Sequence, residues 1–143
     1  MIKCHFVIDK THKNKKFKNI FLTKYKNYLA RLSNVIVVLG GDGFMLQTLK
    51  KFQKFNKPFY GINSGTFGFL MNKFKTYDVI KNISKAKFVS ISPLEMKVIT
   101  KTGKIYSNIA INEVSLLRQT RQAASLQILN GTKILIKKLI CDG

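Results

Sequence analysis

The stretch Val37–Leu49 reads VVLGGDGFMLQTL, and its reading decides the fold. It carries the end of a continuous apolar run, Asn34–Leu39, into three glycines enclosing one aspartate, and then into a segment of helical spacing. A run without polar interruption predicts a strand buried on both faces. Beyond the glycines, Met45, Leu49 and Phe52 recur at i, i+4 and i+7, with Thr48 and Phe55 on the same side and Lys50, Lys51 and Lys54 turned away, which predicts an amphipathic helix. This helix should stop before Pro58, because the residue preceding proline is pushed out of the helical region, and PFYGI at Pro58–Ile62 supplies the next strand. Strand, helix and strand with short joints imply a parallel sheet covered by helices.

Outward from this unit, Ile2–Ile8 alternates as a strand and Lys15–Leu32 reads as a helical region. Past about Ser92 the pattern changes. LEMKVIT and KIYSNIAINEVSLL flank Thr102-Gly103, and SLQIL and KILIKKLI flank Asn130-Gly131-Thr132. Both joints predict hairpins, the second through an Asn-Gly pair suited to a type I′ turn. The boundary falls in KNISKAKFVSISP, Lys81–Pro93. The expectation is an α/β, Rossmann-like parallel-sheet domain over residues 1–90 and an antiparallel β domain over residues 91–143.

The chain has 143 residues, 45% of them hydrophobic, so it can bury a core. Its 26 basic and six acidic residues give a formal charge of +20, a field that attracts polyanions without naming one. Nearly all the cations are lysines scattered singly along amphipathic segments, and only Arg31, Arg118 and Arg121 are arginines. That pattern suits a solvated face better than the arginine forks and exposed aromatics of a nucleic-acid reader. MIKCHFVID at the N-terminus lacks the apolar core of a secretory signal, and no apolar run approaches membrane-spanning length, so a cytoplasmic protein without a membrane segment is expected. Cys4 and Cys141 are too few and too far apart for a disulfide framework or a metal motif, and His5 and His12 have no ligand spacing, so no protein-held metal site is expected.

A glycine-rich turn between a buried parallel strand and a helix leaves backbone N–H groups pointing outward at the positive end of the helix dipole, with no Cβ to block approach. Such a turn suits phosphate. The spacing is neither that of a Walker loop nor G-x-G-x-x-G. Asp42 would repel phosphate there, so either it is a plain turn residue before glycine, or it serves a second purpose: binding a metal that neutralises the phosphates, or accepting a proton from an attacking hydroxyl. A second glycine-rich stretch, YGINSGTFGFLMN at Tyr60–Asn72, places Gly61, Gly65 and Gly68 in a loop at the end of the neighbouring strand. Two such loops would converge on one crevice, where open α/β sheets bind ligands. Asn112 and Glu113 interrupt the apolar strand in AINEVSLLRQTRQAA, their side chains directed to opposite faces.

GGDG, then GINSGTFGFL, then NE in a β segment, in this order and at about these separations, resemble the NAD kinases from about Val35 to the last residue. GGDG alone is shared with lipid kinases and phosphofructokinases; the three together are highly specific. GGDGFML, GFLMN and RQTRQAA look most like bacterial members. The resemblance implies an α/β domain followed by a β-sandwich with the active site between them, a homo-oligomer (dimer or tetramer), and phosphorylation of the 2′-hydroxyl of the adenosine ribose of NAD by ATP with Mg²⁺ or another divalent cation, giving NADP.

Carried onto this sequence, Asp42 matches the aspartate expected to take the proton from the 2′-hydroxyl. Gly40, Gly41 and Gly43 match glycines that line the phosphates. Gly65, Phe67, Gly68 and Phe69 fall in the second loop, which contacts the nucleotide in family members. Asn112 and Glu113 match the pair that hydrogen-bonds the dinucleotide, and Asp142 and Gly143 match the start of the family's DGLxxxTPTGSTAY segment. The family pattern continues beyond KKLICDG, so the sandwich is expected to be incomplete in these 143 residues. The alternatives are a catalytically inactive dinucleotide- or polyphosphate-binding fragment and a basic nucleic-acid-binding module.

Overall fold

The computed structural model describes residues 1–10, 12–63, 68–73 and 78–142, with the backbone alone for residues 12–17. The chain divides into two compact units, Met1–Val89 and Ser90–Gly143. In the first, strands β1 (Cys4–Ile8), β2 (Val35–Gly40), β3 (Phe59–Asn63) and β4 (Asn72–Lys73) form one parallel sheet in that order. Helices α1 (His12–Lys24), α2 (Asp42–Phe52) and α3 (Val79–Lys85) cover it. The fold class read from the sequence is therefore the one observed: a parallel α/β sheet, followed by antiparallel strand pairs.

All six residues of β2 are buried, because both faces of this central strand are covered. Val35, Val37 and Leu39 pack with Cys4, Phe6, Phe21, Ile62 and Val79, so α1 and α3 lie on that face. Ile36 and Val38 pack with Met45 and Met71 on the other, under α2. Double coverage removes the pressure for a polar alternation, which is why the run reads as uninterrupted. On α2 the buried positions are Met45 and Thr48, while Lys50 and Lys51 are exposed. After a 3₁₀ turn at Gln53–Phe55, Asn56 adopts the left-handed conformation (φ 48°), and the chain leaves the helical path two residues before Pro58.

The expected helical region Lys15–Leu32 is shorter in its regular part: α1 ends at Lys24, and only a 3₁₀ turn, Ala30–Leu32, follows. The reason is tertiary. The amide of Tyr28 donates to the Cys4 carbonyl at 2.9 Å, Asn27 Oδ1 accepts from the Phe6 amide at 2.9 Å, and His5 Nδ1 donates to the Tyr28 carbonyl at 2.7 Å. These bonds stitch the segment along the open edge of β1, covering groups an edge strand would otherwise leave unpaired. Cys4, free and buried, has its thiol pushed up from 9.0 to about 11 by desolvation; Cys141 is also free.

The second unit holds two separate two-stranded antiparallel sheets: β5 (Leu94–Ile99) with β6 (Ile105–Ala110), and β7 (Ala124–Asn130) with β8 (Lys133–Cys141). Both predicted hairpins form, with Gly103 and Gly131 at positive φ (78° and 59°). The second turn differs from the type I′ expectation. Asn130 pairs with Lys133 as a strand residue, leaving Gly131 and Thr132 as the central pair, of which only Gly131 has positive φ. Glycine in the first central place is the type II′ signature. No described helix is long and apolar enough to cross a membrane.

Candidate functional site

Gly40 closes β2 and Gly41 caps α2, so the glycines mark the exchange from strand to helix. Gly41 is extended (φ −105°, ψ −179°), a conformation open to any residue, and the first-turn amides that follow it have no acceptor within the helix itself. A Cβ at Gly41 or Gly43 would meet nothing within 4 Å. The backbone is open to approach at both. At Gly40 a Cβ would stand 2.8 Å from Phe44 Cδ1, so the Phe44 ring covers that glycine from the helix side.

Asp42 is the first residue of α2 and half-buried. Its carboxylate favours the positive end of the helix. It does not cap its own helix; instead Oδ2 accepts from the Phe69 amide at 2.7 Å and Oδ1 from the Leu70 amide at 3.1 Å. The two glycine-rich segments are thus joined by one side chain. Gly68 lies in the same contact: a Cβ there would stand 3.0 Å from Asp42 Oδ1, 3.1 Å from Asn63 Nδ2 and 3.2 Å from Met71 Cβ. Phe69 carries a fully exposed ring.

Below this turn the loop is rooted in the core. Met71 is buried against Ile36, Val38 and Met45, and Asn72 Nδ2 donates to the Gly61 carbonyl at 3.0 Å. Gly61 is a correction to the sequence reading: it lies within β3, not in the loop. There a Cβ would meet Met71 Sδ at 2.6 Å, Met45 Cε at 2.7 Å and the Leu70 carbonyl at 3.0 Å. Gly65 and Phe67 lie outside the described residues. Sequence reasoning missed Asn63, buried at the carboxyl end of β3 and paired in register with Gly40, although a polar residue ending an apolar strand run was the available signal.

Asn112 and Glu113 belong to the second unit. They do not interrupt a strand as expected, because β6 ends at Ala110; Asn112 sits in a bend and both are exposed. Asp142 follows β8 and pairs with Arg118 Nη1 at 3.0 Å, the same nitrogen lying 2.6 Å from the Arg121 carbonyl. Gly143 is outside the described residues. Among the described residues no three histidine, cysteine or acidic side chains converge as a metal site would require.

Residues 5–87 match the family model of the ATP-NAD kinase N-terminal domain, a span that contains the whole Asp42 turn and the loop it binds. The chain belongs to the NAD kinase family. Among the relatives of the family, an NAD kinase of Cereibacter sphaeroides is 42% identical over 125 residues, covering 87% of this chain and 49% of the relative. An NAD kinase of Brucella suis is 40% identical over 139 residues, covering 97% of this chain and 54% of the relative. One from Zymomonas mobilis is 45% identical over 123 residues, covering 83% and 47%. The chain spans about half the length of the curated relatives it matches.

Proposed function

We propose that the whole protein transfers the γ-phosphoryl group of ATP to the 2′-hydroxyl of the adenosine ribose of NAD, giving NADP. The observation that carries this reading is Asp42: a carboxylate at the open strand-to-helix turn of a family whose relatives are named NAD kinases, tied to the second loop at a strand's carboxyl end. Phosphoryl transfer needs little covalent chemistry from a protein and much positioning. Gly41 and Gly43 supply an unobstructed backbone for phosphate oxygens, and Gly40, covered by the Phe44 ring, lines the turn behind them. Asp42 takes the proton as the ribose hydroxyl attacks; a carboxylate has about four lone-pair sites, so accepting two amides leaves room for a hydroxyl. Phe69, exposed beside it, offers a ring to the nucleotide. Asn112 and Glu113 supply hydrogen bonds to the dinucleotide, and Asp142 contributes to nucleotide binding.

The described residues hold no cluster of ligands for a protein-held divalent ion. Mg²⁺ belongs to this reading as part of the ATP substrate. A homo-oligomer in the cytoplasm completes it.

In the whole protein, Asp42→Asn should lower kcat for NADP formation by at least ~100-fold, within the range for loss of a general base. A variant keeping more than about a third of wild-type turnover would remove Asp42 from the proton transfer, since general-base loss is far larger than ~3-fold. NAD bound by the wild-type protein without turnover would favour the dinucleotide-binding reading instead.

A further inference from the structure

Consecutive backbone amides point to one place only where the chain bends, and such a pair makes a small anion-binding concavity. Residues 69–71 form a bend, and the amides of Phe69 and Leu70 converge on the two oxygens of a single carboxylate. The anion in this concavity is the chain's own Asp42. The contact is close on its far side too, because Gly68 leaves room for Oδ1 where any Cβ would stand 3.0 Å from it. Among the described residues, the other anchors of this segment are Met71, buried in the core, and the Asn72 bond to the Gly61 carbonyl, both beyond the bend.

We propose that Asp42 is a latch for the Gly68–Leu70 turn, its charge holding that turn to the start of α2 and so fixing the direction in which Phe69 is presented. This rests on the proposed function only in that Asp42 is also the base there; the latch itself rests on the two bonds and on Gly68. Its consequence is that Asp42→Asn is not a silent replacement. Asparagine keeps one acceptor oxygen and puts an NH₂ where the other was, so one of the two amides faces a donor instead of an acceptor. Turnover and loop order should change together in that variant, and the KM for NAD should rise as kcat falls.

Amide hydrogen exchange followed by NMR separates the two roles without an activity readout. In the wild-type protein the Phe69 and Leu70 amides should be protected. Asp42→Ala should speed exchange at both by at least ~10-fold, the factor that about 1.4 kcal/mol represents. Asp42→Asn should do so at one of them or both, while the amides of Val37 and Val38 in β2 keep their rates. Gly68→Ala should give the same loss with the carboxylate intact, and it decides the matter should the Asp42 variants lose β2 protection. Unchanged Phe69 and Leu70 rates in folded Asp42 variants overturn the latch. An Asp42→Asn protein that has lost turnover yet keeps both amides protected overturns the latch and leaves the base standing. One that loses protection but keeps turnover supports the latch and overturns the base.

Discussion

At the scale of single residues, the glycines divide into those that leave space and those that are filled around. Gly41 and Gly43 face open solvent, whereas Gly61 is enclosed by Met45, Met71 and the Leu70 carbonyl. Met45 and Met71 could bend away from a new methyl group; the Leu70 backbone, part of the loop that binds Asp42, could do so only by moving that loop. Gly61→Ala should therefore destabilise the protein by ~1–3 kcal/mol, the usual cost of overpacking. A lowered urea midpoint with an unchanged m-value would show it. A midpoint equal to wild type would mean that the two methionines absorb the methyl group. The sequence showed Gly61 only as one of several glycines near a strand end. Its role depends on two methionines, 16 residues before it and ten after, meeting over its Cα.

At the scale of elements, the exchange from β2 to α2 was legible because a doubly buried strand, a glycine turn and an amphipathic helix each leave a periodicity. The backbone at Gly41 is extended and needs no positive φ. Gly41→Val should then destabilise by only about 1 kcal/mol, the usual cost of replacing a favoured N-cap residue with a poor one, and not by backbone strain. Its branched side chain would still stand where phosphate oxygens must approach, so ATP affinity by calorimetry should fall by at least ~10-fold, about 1.4 kcal/mol. Unchanged affinity in the folded variant would count against the cradle. Elements whose limits are set by distant partners were read less well. The end of α1 is governed by bonds from Tyr28 and Asn27 to β1, and β4, two polar residues paired with Ile62 and Asn63, leaves no periodic trace at all. Asn112 and Glu113 were assigned to a strand because apolar residues continue on both sides, but a ladder ends where its partner ends, and β5 begins at Leu94 opposite Ala110.

At the scale of the whole molecule, burial is uneven: no described residue after Val79 is buried, and Ile99, Leu117 and Ile140 are exposed in the second unit. A two-stranded ribbon has no second layer of its own, so its apolar side chains stay in contact with water. Protection should follow that division. Hydrogen exchange of this chain should be slowest in β2, and the amides of β5–β8 should exchange at least ~100-fold faster, because regions with few buried apolar contacts open locally. Equal protection in the two units would show that the hairpins are packed against a surface. By itself, the sequence determined what local period and composition can determine: the parallel sheet, the site of the strand-to-helix turn, the two hairpins, and through three short motifs the family. Only the tertiary structure decided that Asp42 faces the amides of Phe69 and Leu70, that Gly61 is closed by two methionines, and that Asn63 lies beside Gly68. Periodicity records which face of an element is apolar, and that is a local property. A hydrogen bond across 27 residues depends on where two elements end in space, and no local pattern carries that distance.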